Sequence, residues 1–206
     1  MLLAALNLES IGTYIAVAVF FVGLVMVLFW KKPDTSAAER REMMEKYTFL
    51  SRQTLDALPD EAVVQAVVAN MMAKDNAARP DPYGVAASQT RGRRVVYTAW
   101  ILVNEMQAVG CAKLLSGRSA KFIELGIDAF EALGAPDCAE VCRQISALRP
   151  LRGKALAAPA AEADAAFAVA FEKEKPLTLA VEYIRDNADD FGDDTAFTDT
   201  LPEEDA

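Results

Sequence analysis

The chain has 206 residues, of which 53% are hydrophobic and 25% charged, a formal net charge of −9 and no histidine. That absence excludes Ser-His-Asp and Cys-His catalysis and any His-containing metal site, and leaves carboxylate, lysine or thiol chemistry open. The charge is uneven: nine of the 30 acidic residues fall within positions 186–206, which hold no base, so residues 1–185 balance 21 acids against 21 bases.

Ile11 to Trp30 is a run of twenty uncharged residues followed at once by Lys31 and Lys32. As a helix it would span roughly 30 Å, the thickness of a hydrocarbon core. Residues 1–10 carry Glu9 and no base, and bulky Leu28, Phe29 and Trp30 close the run. A cleaved signal wants a positive start and a small-residue exit, so this segment reads as an uncleaved anchor. Basic residues follow the span and none precede it, which predicts an outside N-terminus and a cytoplasmic body in a bacterial inner membrane. The predicted organisation is an anchor at 1–32, a linker and juxtamembrane helix at 33–54, a helical domain at 55–185 and an acidic tail at 186–206. Such a tail is expected to be solvated and disordered, or to act as an interaction arm.

Ser36, with Glu39 three residues on, fits a capping box for a helix over about 37–57. Pro59, Asp60 and Glu61 open the next helix, whose Val63, Val64, Val67, Val68, Met71 and Met72 keep helical spacing despite their β-branching. Residues 75–90 (DNAARPDPYGVAASQT) read as a loop and candidate binding segment. Arg91, Arg93 and Arg94 read as a solvated helix start. Residues 95–115 form the most apolar segment of the body and predict a central helix; Glu105 and Lys113 argue against a second span, since one mid-span acid costs about 2.5–3.5 kcal/mol. Ser119 is placed to cap a helix over 120–133 ending at Gly134, and Pro136 restarts the next. Pro150, Gly153 and Pro159 mark a loop before helices over 160–174 and 177–187. No segment alternates with period two between hairpin turns, so the fold is predicted all-α: a single transmembrane helix, a multi-helix bundle and the acidic tail.

Two constellations offer chemistry. Asn104, Glu105 and Gln107 lie together in the central helix; Glu105 is either an acid or base facing a cleft or a structurally paired carboxylate. Cys138 and Cys142 share a helix face, but two thiols fall short of a closed zinc site, and with Cys111 they read as small core residues. No phosphate loop, dinucleotide fingerprint or metalloprotease motif is present, so no cofactor is expected. Exposed aromatics interleaved with bases are also missing from the sequence pattern, so direct nucleic-acid binding is not expected.

Residues 96–145, with Glu105, Gly110 and Leu133-Gly134-Ala135, resemble the bacterial DNA-mimic protein family; Leu58–Val67 and Tyr183–Phe191 fit the ends of its pattern. Val109, Cys111 and the Gln107-Ala108 pair depart from that family's Gly-Gly-Phe turn and the amide pair before it. The resemblance implies an all-helical, non-enzymatic protein-binding module. In one member of the family, surface carboxylates imitate DNA phosphates and occupy a DNA-binding regulator. The expectation is therefore a membrane-anchored interaction module, held to the lipid bilayer through residues 11–30, with an unidentified protein partner. Candidate interaction residues are Asn104, Glu105, Gln107, Gly110, Asp186, Asp189, Asp190, Asp193 and Asp194. Two alternatives stay open: mimicry of DNA through an acidic surface or tail, and an enzyme using Glu105 in a cleft.

Overall fold

The computed structural model describes residues 35–75 and 78–194. The chain divides into two units, residues 1–41 and 42–206, and the core belongs to the second. The expected membrane span, Ile11–Trp30, lies outside the described residues. Among the described residues no helix is long and apolar enough to cross a membrane.

The described elements are helical. In chain order they are α1 (Thr35–Lys46), α2 (Arg52–Ala57), α3 (Asp60–Ala73), α4 (Pro82–Ser88), α5 (Arg91–Ala108), α6 (Gly110–Ser116), α7 (Phe122–Ala132), α8 (Pro136–Ala147), α9 (Lys154–Glu174) and α10 (Pro176–Asp186). Two 3-10 turns, Arg118–Lys121 and Ala188–Asp190, complete them. The all-α expectation holds for these residues.

α5 is the hub. It packs on α3, α4, α6, α7 and α10, and α7 carries α8, against which α9 lies. Its first three turns are buried nearly all round, from Gly92 and Arg93 through Val103. A helix that is apolar on every face is stable only where other helices cover every face. α3 realises its predicted pattern with Val63, Val64, Val67, Val68 and Met71 buried, so helical spacing outweighed β-branching.

Several boundaries differ from the sequence expectation, each for a local reason. The helix expected over 37–57 is two helices, with residues 47–51 between them, and the first begins at Thr35, ahead of Ser36. The apolar stretch 95–115 is also two helices: α5 stops at Ala108, and Gly110 takes φ +75° before α6 starts. A residue with a Cβ pays for that left-handed conformation, and glycine does not. The segment read as a loop contains α4, which opens on Pro82, a position where the missing N–H costs nothing. Pro159 lies inside α9 rather than in a loop: as the sixth residue of the helix it gives up one backbone hydrogen bond, and its alanine-rich surroundings still support a helix from Lys154. Ser119 does not cap a helix; it sits in the 3-10 turn and bonds Glu105 instead.

The largest correction concerns the acidic tail. Residues 187–194 are not solvated over their length: they fold back as a strap across the start of α5, Leu50 and the start of α2. Phe191 is fully buried. Gly92 accepts this approach because it lacks a side chain; a Cβ there would lie 2.6 Å from Asp190 Cβ and 3.0 Å from Phe191 Cε2. Residues 195–206, with Asp199, Glu203, Glu204 and Asp205, lie outside the described residues.

Candidate functional site

Two charged regions stand out, and they are built differently. The first is the strap. Asp193 is its anchor: one carboxylate oxygen accepts from the Leu50 amide at 2.8 Å and from Asn70 Nδ2 at 2.9 Å. The other meets Lys74 Nζ at 2.9 Å and Arg93 Nη2 at 2.7 Å. The Asp193 amide returns a bond to the Leu50 carbonyl at 2.7 Å. Arg93 is 3% exposed and also donates to the Phe191 carbonyl at 2.7 Å. Arg93 is therefore the buried partner of the strap, not part of a solvated basic cluster. Burial pushes the Asp193 carboxyl up, but the Leu50 amide, Lys74 and Arg93 outweigh it and hold the group down at about 2.

The neighbouring acids are engaged as well. Asp190 Oδ2 accepts the Gly92 amide at 2.9 Å, at the N-terminus of α5, where the helix dipole favours an anion. Asp194 Oδ1 accepts the Arg52 amide at 3.0 Å at the start of α2, and Asp189 pairs with the Arg52 side chain. Asp186 ends α10 and is exposed. Of the five tail acids expected to form an interaction surface, four thus bind the protein's own backbone and bases.

The second region is an open cleft of about 870 Å³ over one stripe of α5. Tyr97, Trp100, Ile101 and Glu105 line it from α5, the segment 78–83 flanks one side and residues 117–122 the other. Its floor is aromatic. Tyr97 and Phe122 are each 3% exposed and meet edge to face at 6.3 Å; Trp100 lies parallel to Tyr97 at 6.4 Å. Tyr83 meets Phe122 edge to face at 5.5 Å and closes one end. Burial, and secondarily the Asp75 carboxylate, push the Tyr97 hydroxyl up to about 12, so it stays protonated. Arg79, Arg118 and Lys121 stand exposed at the rim, Lys121 over the Tyr83 ring at 5.6 Å.

Glu105 is half-buried at this cleft, and its Oε1 accepts from Ser119 Oγ at 2.9 Å. Both sequence readings of Glu105 describe part of what is found: it faces a cleft and it has a fixed partner. The residues expected to join it do not. Asn104 is exposed and donates to the Trp100 carbonyl at 2.7 Å, one turn back; Gln107 is exposed at the end of α5. Gly110 serves the backbone. Its turn brings the Cys111 amide to Asp164 Oδ1 of α9 at 2.7 Å, which caps α6 from a distant helix. The three cysteines are buried and free. Burial pushes the Cys111 thiol to about 11 and Cys142 to about 12, and Cys138 is raised by burial and by the Glu174 carboxylate beside it. Among the described residues no group of three or more Cys, Asp or Glu could hold a metal ion.

Sequence reasoning missed the cleft because its parts come from three separated segments. Of these, residues 75–90 were singled out as a candidate binding loop, but Trp100, Arg118 and Lys121 carry no spacing signal that joins them to it.

The sequence pattern of the DMP19-like protein family matches residues 87–196. The chain belongs to that family. The matched stretch runs from the end of α4 through the strap, so α5, the cleft flank at residues 117–122 and Asp193 fall within it, whereas Arg79 and Tyr83 precede it. No curated protein and no solved structure matches the chain.

Proposed function

We propose that this DMP19-like chain is a non-enzymatic protein-binding module, held at a bacterial inner membrane by Ile11–Trp30 with its helical body on the cytoplasmic side. Family membership supports a DNA-mimic-like domain. The twenty-residue uncharged run and the following lysines support the tether and its direction. The single observation that carries the interaction reading is the use of the acids at 189–194. A DNA mimic needs carboxylates free to stand in for phosphates, and these four are spent on Arg52, Gly92, Arg93, Lys74, Asn70 and Leu50. The strap is then part of the fold rather than a free acidic arm.

Crosslinking in native membranes, followed by mass spectrometry of what is captured, tests the reading. Specific protein partners are expected; recovery of none, with the fold intact, would overturn it.

The family match favours a second reading, mimicry of DNA toward a basic regulator, for which the acids that follow the matched stretch, Asp199, Glu203, Glu204 and Asp205, are one candidate. Deletion of residues 195–206 isolates it, because a cut at 186 would also remove the strap and destabilise the body. Loss of a salt-sensitive interaction on that deletion supports mimicry, and unchanged binding refutes it. A catalytic reading rests on Glu105 alone, and its Oε1 is already given to Ser119.

A further inference from the structure

The α5 cleft combines three features that other parts of the surface do not. Its floor is a set of rings in mutual contact, its rim is cationic, and its volume lies within the roughly 300–1,000 Å³ typical of binding pockets. Among the described residues Arg79, Arg118 and Lys121 make no salt bridge, as Arg91, Arg94 and Lys113 also do not; what sets the three apart is the ring floor they surround. Rings and unpaired cations at one opening complement a ligand that brings both an apolar side chain and negative charge.

We infer that this cleft receives an acidic segment of a protein partner, one bulky apolar or aromatic side chain seated against Trp100 and Tyr83, with carboxylates at Arg79, Arg118 and Lys121. The inference rests on the protein-binding reading and names the partner's chemistry for it. Tyr97 to Glu105 spans about 12 Å along α5, the length of three or four extended residues. The cleft also holds Glu105 and Asp81. Those carboxylates repel a phosphate backbone, which carries its charge at every step, but accept hydrogen bonds from peptide N–H groups. They favour a peptide over a single nucleic-acid strand, even though strands also use aromatic and basic surfaces. The polarity is opposite to mimicry of DNA, which would present acids to a basic partner.

The test uses the full chain in detergent micelles and a short fluorescein-labelled peptide in which glutamates flank one phenylalanine, read by fluorescence anisotropy. Salt-sensitive binding is expected. It should weaken about tenfold or more in the double variant R118E/K121E and in R79E on the opposite flank, with the helical circular dichroism unchanged because all three side chains are exposed. Replacing the peptide's glutamates by glutamines should weaken binding similarly. No binding, binding indifferent to the charge reversals, or equal capture of a single-stranded oligothymidylate would each overturn the inference. If the peptide fails while crosslinking in membranes still captures partners, the cleft alone is lost; if crosslinking captures none, the protein-binding reading itself falls.

Discussion

Along the strap, Asp189, Asp190, Asp193 and Asp194 each meet a base or a backbone amide of the body. Around the α5 cleft, Arg79, Arg118 and Lys121 surround aromatic rings and make no salt bridge among the described residues. The strap's acids form a run in the sequence, whereas the cleft's bases come from separate segments and gather only in the fold. Their difference lies in what desolvation demands. A carboxylate pressed into a body must be matched there or it costs several kcal/mol, whereas a cation left at a rim keeps its water until a ligand displaces it. The strap therefore reports on folding and the cleft on binding, and variants in the two should separate along that line.

The largest effect is expected at Asp193. Replacing it by alanine leaves Arg93 buried without its counter-charge and should cost on the order of 3 kcal/mol, or roughly 10 °C in Tm, measured by calorimetry. The pH dependence follows from the lowered carboxyl at about 2. An unfolded aspartate titrates near 3.9, so the stabilisation is complete above about pH 4 and is lost as pH falls toward 2. The gap between parent and D193A should accordingly narrow over that window. A gap that stayed constant would show that the carboxylate's charge is not what holds the strap.

Gly92→Ala attacks the same strap without touching a charge. Its Cβ would press on Asp190 Cβ and the Phe191 ring, one of them main-chain-adjacent and the other fully buried. A loss of about 1–3 kcal/mol is expected from chemical denaturation. If G92A is as stable as the parent, the strap is held loosely and its acids are available to partners after all, which would revive the tail as a mimic.

Much of the fold was legible because it depends on near-neighbour periodicity. Most of the repeated apolar positions of α3, α7 and α8 are buried, with Met72, Leu125 and Leu148 only partly so, and Gly134 and Pro136 punctuate the chain where expected. What was not legible is how helix ends are satisfied. α6 is preceded by Val109 and α8 by Ala135, neither able to cap with its side chain. Asp164 and Glu174 of α9 do so from tens of residues away, as Asp190 does for α5. Such a cap leaves no local signature, and the acids that supply it are indistinguishable in sequence from solvated ones. The same holds for Arg93, which sits among Arg91 and Arg94 yet is the one buried. Glu105 was legible as a residue near a cleft, but the aromatic floor beside it needed Tyr83 and Phe122 to be brought to α5 by tertiary packing.

Glu174→Ala measures one distant cap directly. The carboxylate accepts the Asp137 amide at 2.8 Å and the Cys138 amide at 2.9 Å, at the positive end of α8. Its loss should cost about 1–2 kcal/mol, and Glu174→Gln, which keeps an acceptor but not the charge, about half of that. Equal losses would assign the effect to the charge alone, and an unaffected glutamine variant would assign it to hydrogen bonding. Neither variant should alter binding at the cleft.

The smallest effect, and the one that joins the two regions, is expected from Ser119→Ala. It removes the hydroxyl that donates to Glu105 at 2.9 Å and leaves a half-buried carboxylate facing the cleft. Because that carboxylate can take water through the opening, the cost should be only about 1 kcal/mol, a Tm change of a few degrees. Its effect on the acidic peptide decides what Glu105 is for. If Ser119 merely restrains the turn over residues 118–121, the variant loosens Arg118 and Lys121 together, and binding weakens in step with Tm. If Glu105 accepts an N–H from the bound segment, freeing it from Ser119 strengthens that bond, and binding tightens while Tm still falls. Opposite signs in one variant would place Glu105 with the ligand, and parallel losses would place it with the strap acids, as a group whose work is finished when the chain has folded.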